Sequence, residues 1–91
     1  MNSIEHFIDG KTVKGTSKKT AKVFNPATGE VSSNVNLAST SDLNKAVDAA
    51  KKAFPSWSEK TPLFRARVLF KFKELIEKNY DELTKIIVSE H

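Results

Sequence analysis

Cysteine is absent from these 91 residues. Disulfides, thiolate nucleophiles and zinc–thiolate sites are excluded together, and a reducing compartment fits. Glycine is scarce. Gly10, Gly15 and Gly29 are too few and too widely spaced for a G-x-G-x-x-G loop. Histidine occurs only as His6 and His91, at opposite ends of the chain. No H-E-x-x-H or similar ligand spacing results, so each histidine reads as solvated or as a local hydrogen-bond partner. Arginine is limited to Arg65 and Arg67. No apolar run approaches the ~20 residues of a bilayer span; the longest aliphatic run is Ile86-Ile87-Val88. The N-terminal residues, Met1 to His6, show neither a basic region leading into an apolar stretch nor an Arg-rich amphipathic helix. No signal or transit peptide is therefore expected, and the expected location is cytoplasmic.

What is there is an ordinary globular balance, with 38% hydrophobic and 29% charged residues. The length suits one small domain with a modest core. The formal net charge of +4 gives only weak attraction to polyanions. Specific nucleic-acid binding asks for clustered base-reading side chains or aromatic stacking platforms. Neither is present, and no nucleic-acid or membrane partner is expected.

The first third reads as strands and turns. Phe7-Ile8 leads through Asp9-Gly10 into Lys11-Thr12-Val13, a hairpin signal because a type I′ turn needs positive φ at both central residues. Residues 14–20 are polar and contain glycine, which predicts a loop. Residues 21–24 are β-prone and end at the turn Asn25-Pro26-Ala27-Thr28-Gly29-Glu30. Val31, Ser33, Val35 and Leu37 alternate with Ser32, Asn34 and Asn36, the period of a half-buried strand. Near Ser39 the period changes. Leu43, Ala46, Val47, Ala50 and Phe54 fall at helical spacing, with Ser39 and Asp42 as a capping box. Pro55 is expected to stop this helix, leaving residues 55–58 as a connector from which Trp57 packs back onto the body. Thr61-Pro62 opens a second helix with Val68, Leu69, Phe72, Leu75 and Ile76 as its stripe. Asn79 to Glu82 repeats the capping-box spacing and predicts a break and a third helix. Leu83, Ile86 and Ile87 are expected to face inward. That helix reaches Glu90-His91 without a glycine or proline stop, and the hairpins leave edges that a complete sheet pairs or covers. Both features suggest a cut chain.

Candidate chemistry is sparse. Gly10-Lys11-Thr12 has the tail of a P-loop, but Glu5 stands where the first glycine is needed and the context is a hairpin. Serines lie in caps, turns and an outer strand face, without the histidine and carboxylate of a triad. Glu74 and Glu77, or Asp81 and Glu82, could be imagined as acid/base pairs. Their lysine neighbours instead predict a solvated face with i,i+4 pairs such as Glu74–Lys78. Arg65 and Arg67 could grip a carboxylate or phosphate; the competing reading is an intersegment salt bridge. Phe64, Phe70 and Phe72 read as core or interface, and as a sticky surface if left open.

At Phe24-Asn25-Pro26-Ala27-Thr28-Gly29-Glu30-Val31 the sequence resembles the start of the NAD(P)-dependent aldehyde dehydrogenase superfamily. Other segments match that family in the same order. Phe7-Ile8-Asp9-Gly10-Lys11 looks like its opening hairpin. Asp42-Leu43, Ala46-Val47, Ala49-Ala50 and Ala53-Phe54, then Trp57, look like its first long helix and the turn that follows it. Arg65, Leu69, Leu75-Ile76 and Glu82-Leu83 resemble its next helices, and Glu90-His91 looks like the start of a Glu-x-Gly-Lys segment. The wording of Phe54-Pro55-Ser56-Trp57, of residues 67–75 and of Asp81-Glu82-Leu83 is closest to the CoA-acylating methylmalonate-semialdehyde dehydrogenase branch.

The resemblance implies an α/β fold, with this chain forming the N-terminal hairpins (residues 1–37) and helices (residues 39–91) of a Rossmann-like NAD-binding domain. That domain is incomplete here. For the parent enzyme it implies NAD-dependent oxidation of a semialdehyde. A cysteine thiolate forms the acyl thioester and coenzyme A removes it, with loss of carbon dioxide, to give propionyl-CoA or acetyl-CoA. The catalytic groups belong to later segments, so no catalytic, cofactor-binding or metal residue is expected within 1–91, and the chain alone is expected to be inactive. Implied partners are the rest of the parent chain and, at full length, further copies in a dimer or tetramer. Some members of the superfamily hold a monovalent cation by backbone carbonyls, which would lie near Val23 and Phe24. Two other readings stay open at this point. One is an aldehyde dehydrogenase branch that releases a free acid; the other is a self-sufficient basic interaction module.

Overall fold

The computed structural model describes residues 2–91. The readings of the N-terminus that include Met1 lie partly outside the described residues.

The Asp9-Gly10 turn forms as its sequence requires. Both residues have positive φ, 54° and 73°, and they join β2 (His6–Ile8) to β3 (Lys11–Val13) as an antiparallel pair. A second antiparallel pair joins β4 (Thr20–Phe24) to β5 (Val31–Asn36), with a bulge between Val23 and Phe24. The intervening turn is closed by its own polar groups. The Asn25 N–H donates to the Glu30 carbonyl and the Gly29 N–H to the Asn25 carbonyl, both at 2.8 Å. The Asn25 side chain accepts from the Ala27 N–H at 2.9 Å, the Asx-turn contact that favours asparagine here.

One strand was not expected from the sequence. β1 (Asn2–Ile4) pairs in parallel with β5, giving a three-stranded sheet of order β1-β5-β4. Three residues with one apolar side chain carry no legible period; only the long-range partner makes them a strand. Asn36 reinforces the join. It accepts from the Ser3 hydroxyl and donates to the Lys14 carbonyl, both at 3.1 Å. In β5 the expected alternation brings Val31, Ser33 and Val35 under cover, and Ser33 is the buried strand residue, 7% exposed. The loop expected over 14–20 gives up Thr20 to β4.

The helices are α1 (Thr40–Ser58), α2 (Pro62–Lys78) and α3 (Tyr80–Glu90). Pro55 does not stop α1; the helix runs one turn past it to Ser58. Proline removes one N–H near the end of the helix, where few bonds remain to be lost. The Pro55 carbonyl still accepts from the Glu59 N–H at 3.2 Å, and the hydroxyls of Ser56 and Ser58 bond the Ala53 and Pro55 carbonyls. Thr61 caps α2 as expected, accepting from the Phe64 N–H at 3.1 Å, with Pro62 at the first helical position. Asn79 does not form a capping box with Glu82. Its side-chain amide donates backward to the Leu75 carbonyl at 2.8 Å, so it closes α2 rather than opening α3. Terminal carbonyls left without helical partners explain that choice.

The helices pack on almost nothing. Among the described residues no hydrophobic side chain is buried, so the expected modest core does not exist within this chain. Trp57 does not pack back onto the body, and Leu83, Ile86 and Ile87 face no interior; all four are exposed. The reason is thickness. The backbone extends 47 × 35 × 15 Å, a slab scarcely thicker than one helix with its side chains. Its radius of gyration is 16.9 Å, against about 12 Å for a compact domain of this length. A domain core requires two packed layers, and here there is one.

The expected outcome for the 91-residue chain in isolation is strong binding of a hydrophobic dye, with a gradual thermal loss of far-UV helical signal. A sigmoidal melt without dye binding would contradict the single-layer description.

Candidate functional site

The best-organised polar cluster lies where loop 14–17 meets the start of α1. Asp42, three residues into the helix, is 3% exposed. Its carboxylate accepts from the Ser39 N–H at 2.9 Å and from the Thr16 N–H, shared between both oxygens, at 3.1 Å. The Thr16 hydroxyl adds a bond at 3.2 Å. In return the Ser39 hydroxyl accepts from the Asp42 N–H at 3.1 Å and lies 2.6 Å from the Thr16 hydroxyl. The capping box read from the sequence is therefore real, and a third residue from a distant loop completes it. The backbone N–H groups of Ser39 and then Thr16 hold the Asp42 carboxyl well below the usual carboxylate range, against the opposing pull of burial.

Gly15 is the close approach that permits this clasp. With φ at +85° it sits in the left-handed region. A Cβ there would lie 2.9 Å from the His6 ring and 3.0 Å from an Asp42 carboxylate oxygen. His6 thus belongs to the packing of the clasp. Its Nε2 is buried and has no hydrogen-bond partner among the described residues.

The remaining candidates stay apart. His91 ends α3, far along the chain from His6. Among the described residues no group of three or more His, Cys, Asp or Glu side chains converges as metal ligands. Glu74 pairs with Lys71 at 3.5 Å, and Lys73 with Glu77 at 3.2 Å, all on an exposed face. The expected Glu74–Lys78 pair is replaced by these two alternatives of similar helical spacing. Asp81 and Glu82 occupy the first turn of α3, where the helix dipole favours them. Arg65 is half-buried and Arg67 exposed, and among the described residues neither forms an ion pair. Lys60 lies 4.9 Å from the centre of the Phe64 ring. The Val23 carbonyl is engaged by the Ser32 hydroxyl at 3.2 Å.

Beside the hairpin runs a shallow open cavity of about 310 Å³. It is lined by Phe7, Ile8 and Asp9 on one side and Ala46, Ala49, Ala50 and Ala53 of α1 on the other. Its walls are mainly apolar, and its one charged group is the Asp9 carboxylate, so it offers no phosphate cradle. The α1 N-terminus, the natural seat for a pyrophosphate, is filled by the chain's own Asp42 carboxylate. These residues do not fit a dinucleotide.

Three outcomes follow from the clasp. Because the folded-state carboxyl titrates below its unfolded value, its stabilisation is complete above about pH 5. It is lost as the pH falls through the ordinary value of ~3.9 and then through the depressed one. Amide-exchange protection factors at Thr16 and Ser39 should be flat above pH 5 and fall below pH 4. Gly15→Ala should lower the same protection more than Gly10→Ala lowers that of the hairpin, since a Cβ at Gly10 meets open space. Ser39→Ala, a cap loss, should cost about 1 kcal/mol by the same readout at Asp42.

Comparison with known proteins supplies what the side chains do not. The profile of the aldehyde dehydrogenase family matches residues 12–91. Malonate-semialdehyde dehydrogenase of Pseudomonas aeruginosa is 44% identical over the whole chain, which spans 18% of that protein's length. Malonate-semialdehyde dehydrogenase of Halalkalibacterium halodurans is 44% identical over 89 residues, again 18% of its length. Among solved structures, a chain of Sinorhizobium meliloti 1021 in complex with NAD, provisionally assigned as a methylmalonate-semialdehyde dehydrogenase, superposes with a TM-score of 0.96 at 49% identity. Methylmalonate-semialdehyde dehydrogenase of Oceanimonas doudoroffii superposes at 0.94 with 46% identity. In both structures the match covers all of this chain and 18% of the other. The strands and helices match the N-terminal part of an aldehyde dehydrogenase structure, and the chain belongs to the aldehyde dehydrogenase family.

Proposed function

We propose that these residues are the N-terminal part of the NAD-binding domain of a CoA-acylating malonate- or methylmalonate-semialdehyde dehydrogenase, with a sheet region over 1–37 and a helical region over 39–91. The observation that carries this reading is the 44–49% identity, running over the whole chain, to proteins bearing those two names. The whole protein would convert semialdehyde, NAD⁺ and coenzyme A into acyl-CoA, carbon dioxide and NADH. The acyl product is acetyl-CoA from malonate semialdehyde and propionyl-CoA from the methylmalonate substrate. NAD, coenzyme A and the nucleophile would be held by other segments. The present segment contributes no catalytic, cofactor-binding or metal-binding side chain. It acts as scaffold, covering and bracing the sheet.

The Asp42 clasp supports the scaffold role, since it spends the α1 N-terminus on internal bonding. The NAD bound in the Sinorhizobium structure supports the cofactor. Coenzyme A, a homo-oligomeric state as dimer or tetramer, and a cytoplasmic location complete the proposal. No helix among the described residues is long and apolar enough to cross a membrane, which is compatible with that location.

The test is an assay of the whole protein with malonate and methylmalonate semialdehydes and NAD⁺, with and without coenzyme A. Product is identified by mass. NADH formation that requires coenzyme A, together with acetyl-CoA or propionyl-CoA, is the expected result. A rate indifferent to coenzyme A with free acid as product would move the protein to another branch of the family.

A further inference from the structure

We propose that Asp9-Gly10 is a site of spontaneous covalent modification, at which the aspartate converts to isoaspartate through a cyclic imide. The chemistry needs a free carboxyl, a free N–H on the next residue, and no side chain there to obstruct ring closure. Asp9 and Gly10 are both exposed. Among the described residues, neither the Asp9 carboxylate nor the Gly10 N–H has a hydrogen-bond or ion-pair partner. A Cβ at Gly10 would meet nothing within 4 Å, so the approach to its nitrogen is open. The other aspartates each fail a condition. Asp42 precedes Leu43 and its carboxylate is engaged by Thr16 and Ser39. Asp48 lies inside α1, where the next N–H is committed to the helix. Asp81 precedes Glu82, whose side chain crowds the nitrogen.

The fold also supplies the motion that ring closure needs. Asp9 must rotate out of the turn to bring its carboxyl onto the Gly10 nitrogen. It is the one described non-glycine residue with positive φ, 54°, a region that crowds a Cβ. β2 and β3 are three residues each and form a two-stranded sheet of their own. Such a pair is marginally stable by itself, so the turn opens locally at little cost. In the reaction the Gly10 nitrogen bonds to Asp9 Cγ. The un-ionised carboxyl loses its hydroxyl and the nitrogen its proton, so one water leaves. Water then adds to either imide carbonyl. Opening at Cγ restores aspartate. Opening at the former main-chain carbonyl of Asp9 gives isoaspartate, with the chain running through Cβ and Cγ and a carboxylate on Cα. Water is the only co-reactant. The main chain is then one carbon longer where two residues must close a type I′ turn, and the Ile8–Lys11 register is lost. His6 starts the same strand and packs at the Asp42 clasp, so the disturbance reaches the start of α1.

The experiment incubates the whole protein at neutral pH in water enriched in heavy oxygen, digests it in ordinary water, and separates its peptides by chromatography with mass detection. A synthetic peptide of residues 6–13 is the reference for the unrestrained rate. The expected result is a second form of the peptide holding Asp9-Gly10. It carries heavy oxygen, elutes apart from the original and resists a protease that cuts before aspartate. The peptides holding Asp48 and Asp81 should show no such form. Asp9→Asn keeps a residue suited to the turn and reaches the same imide by losing ammonia, so it should give the same isoaspartate product faster. Asp9→Glu would require a six-membered ring and should lose the signal. The modified protein should also lose amide-exchange protection across β2–β3. Isoaspartate at Asp48 or Asp81 to the same extent as at Asp9 would overturn the proposal. So would an unmodified Asp9 in the whole protein over a time in which the synthetic peptide converts.

Discussion

The constraint on which everything else depends is layer count. Burial of apolar surface is worth about 25 cal/mol per Å², but it needs a facing layer. A backbone envelope 15 Å thick has none. The 38% hydrophobic content is therefore present and periodic, but no described hydrophobic side chain is fully buried. Each helix carries a stripe with nothing opposite it. The alanines of α1 rest beside the β2–β3 hairpin, while Leu43, Val47 and Phe54 stay exposed.

What the chain does satisfy, it satisfies by polar and local means. The two buried residues among those described are Ser33 and Asp42, not hydrophobes. Asp42 fixes the N-terminus of α1 and the loop before β4 in one step, because its carboxylate serves donors on Thr16 and Ser39, 23 residues apart in sequence. Gly15 permits the approach and His6 seals it. A helix N-terminus spent in this way cannot also greet a phosphate. The same geometry that organises the slab therefore argues for a scaffold rather than a cofactor cradle.

Legibility in the sequence followed the range of the interaction. The Asp9-Gly10 hairpin, the Asn25–Glu30 turn, the Ser39 and Thr61 caps and the three helices are short-range and were readable residue by residue. β1 was not, since Asn2-Ser3-Ile4 becomes a strand only through β5. Thr16 as a partner of Asp42 was equally invisible, because nothing local marks which loop will reach a capping box. Pro55 and Asn79 misled for a shared reason. Both sit at helix ends, where side-chain hydroxyls and amides can satisfy orphan carbonyls, so the local rule of termination gives way. The apolar stripes are legible in the sequence as stripes, but not as exposed within these residues. Periodicity reports which side wants cover, not whether cover lies within these residues. The family resemblance, carried by the Asn-Pro-Ala-Thr-Gly turn and its ordered neighbours, reached the right relatives because it uses identity rather than energetics.

The central claim is that the apolar side of α2 is covered by polypeptide outside residues 1–91. Covalent footprinting tests it most directly, comparing Phe64, Val68, Phe72, Leu75 and Ile76 in the free chain and in the whole protein. The account predicts heavy labelling in the free chain and strong protection in the whole protein, with Lys73, on the opposite side of the helix, labelled in both. Equal labelling of the five apolar residues in both states would contradict it.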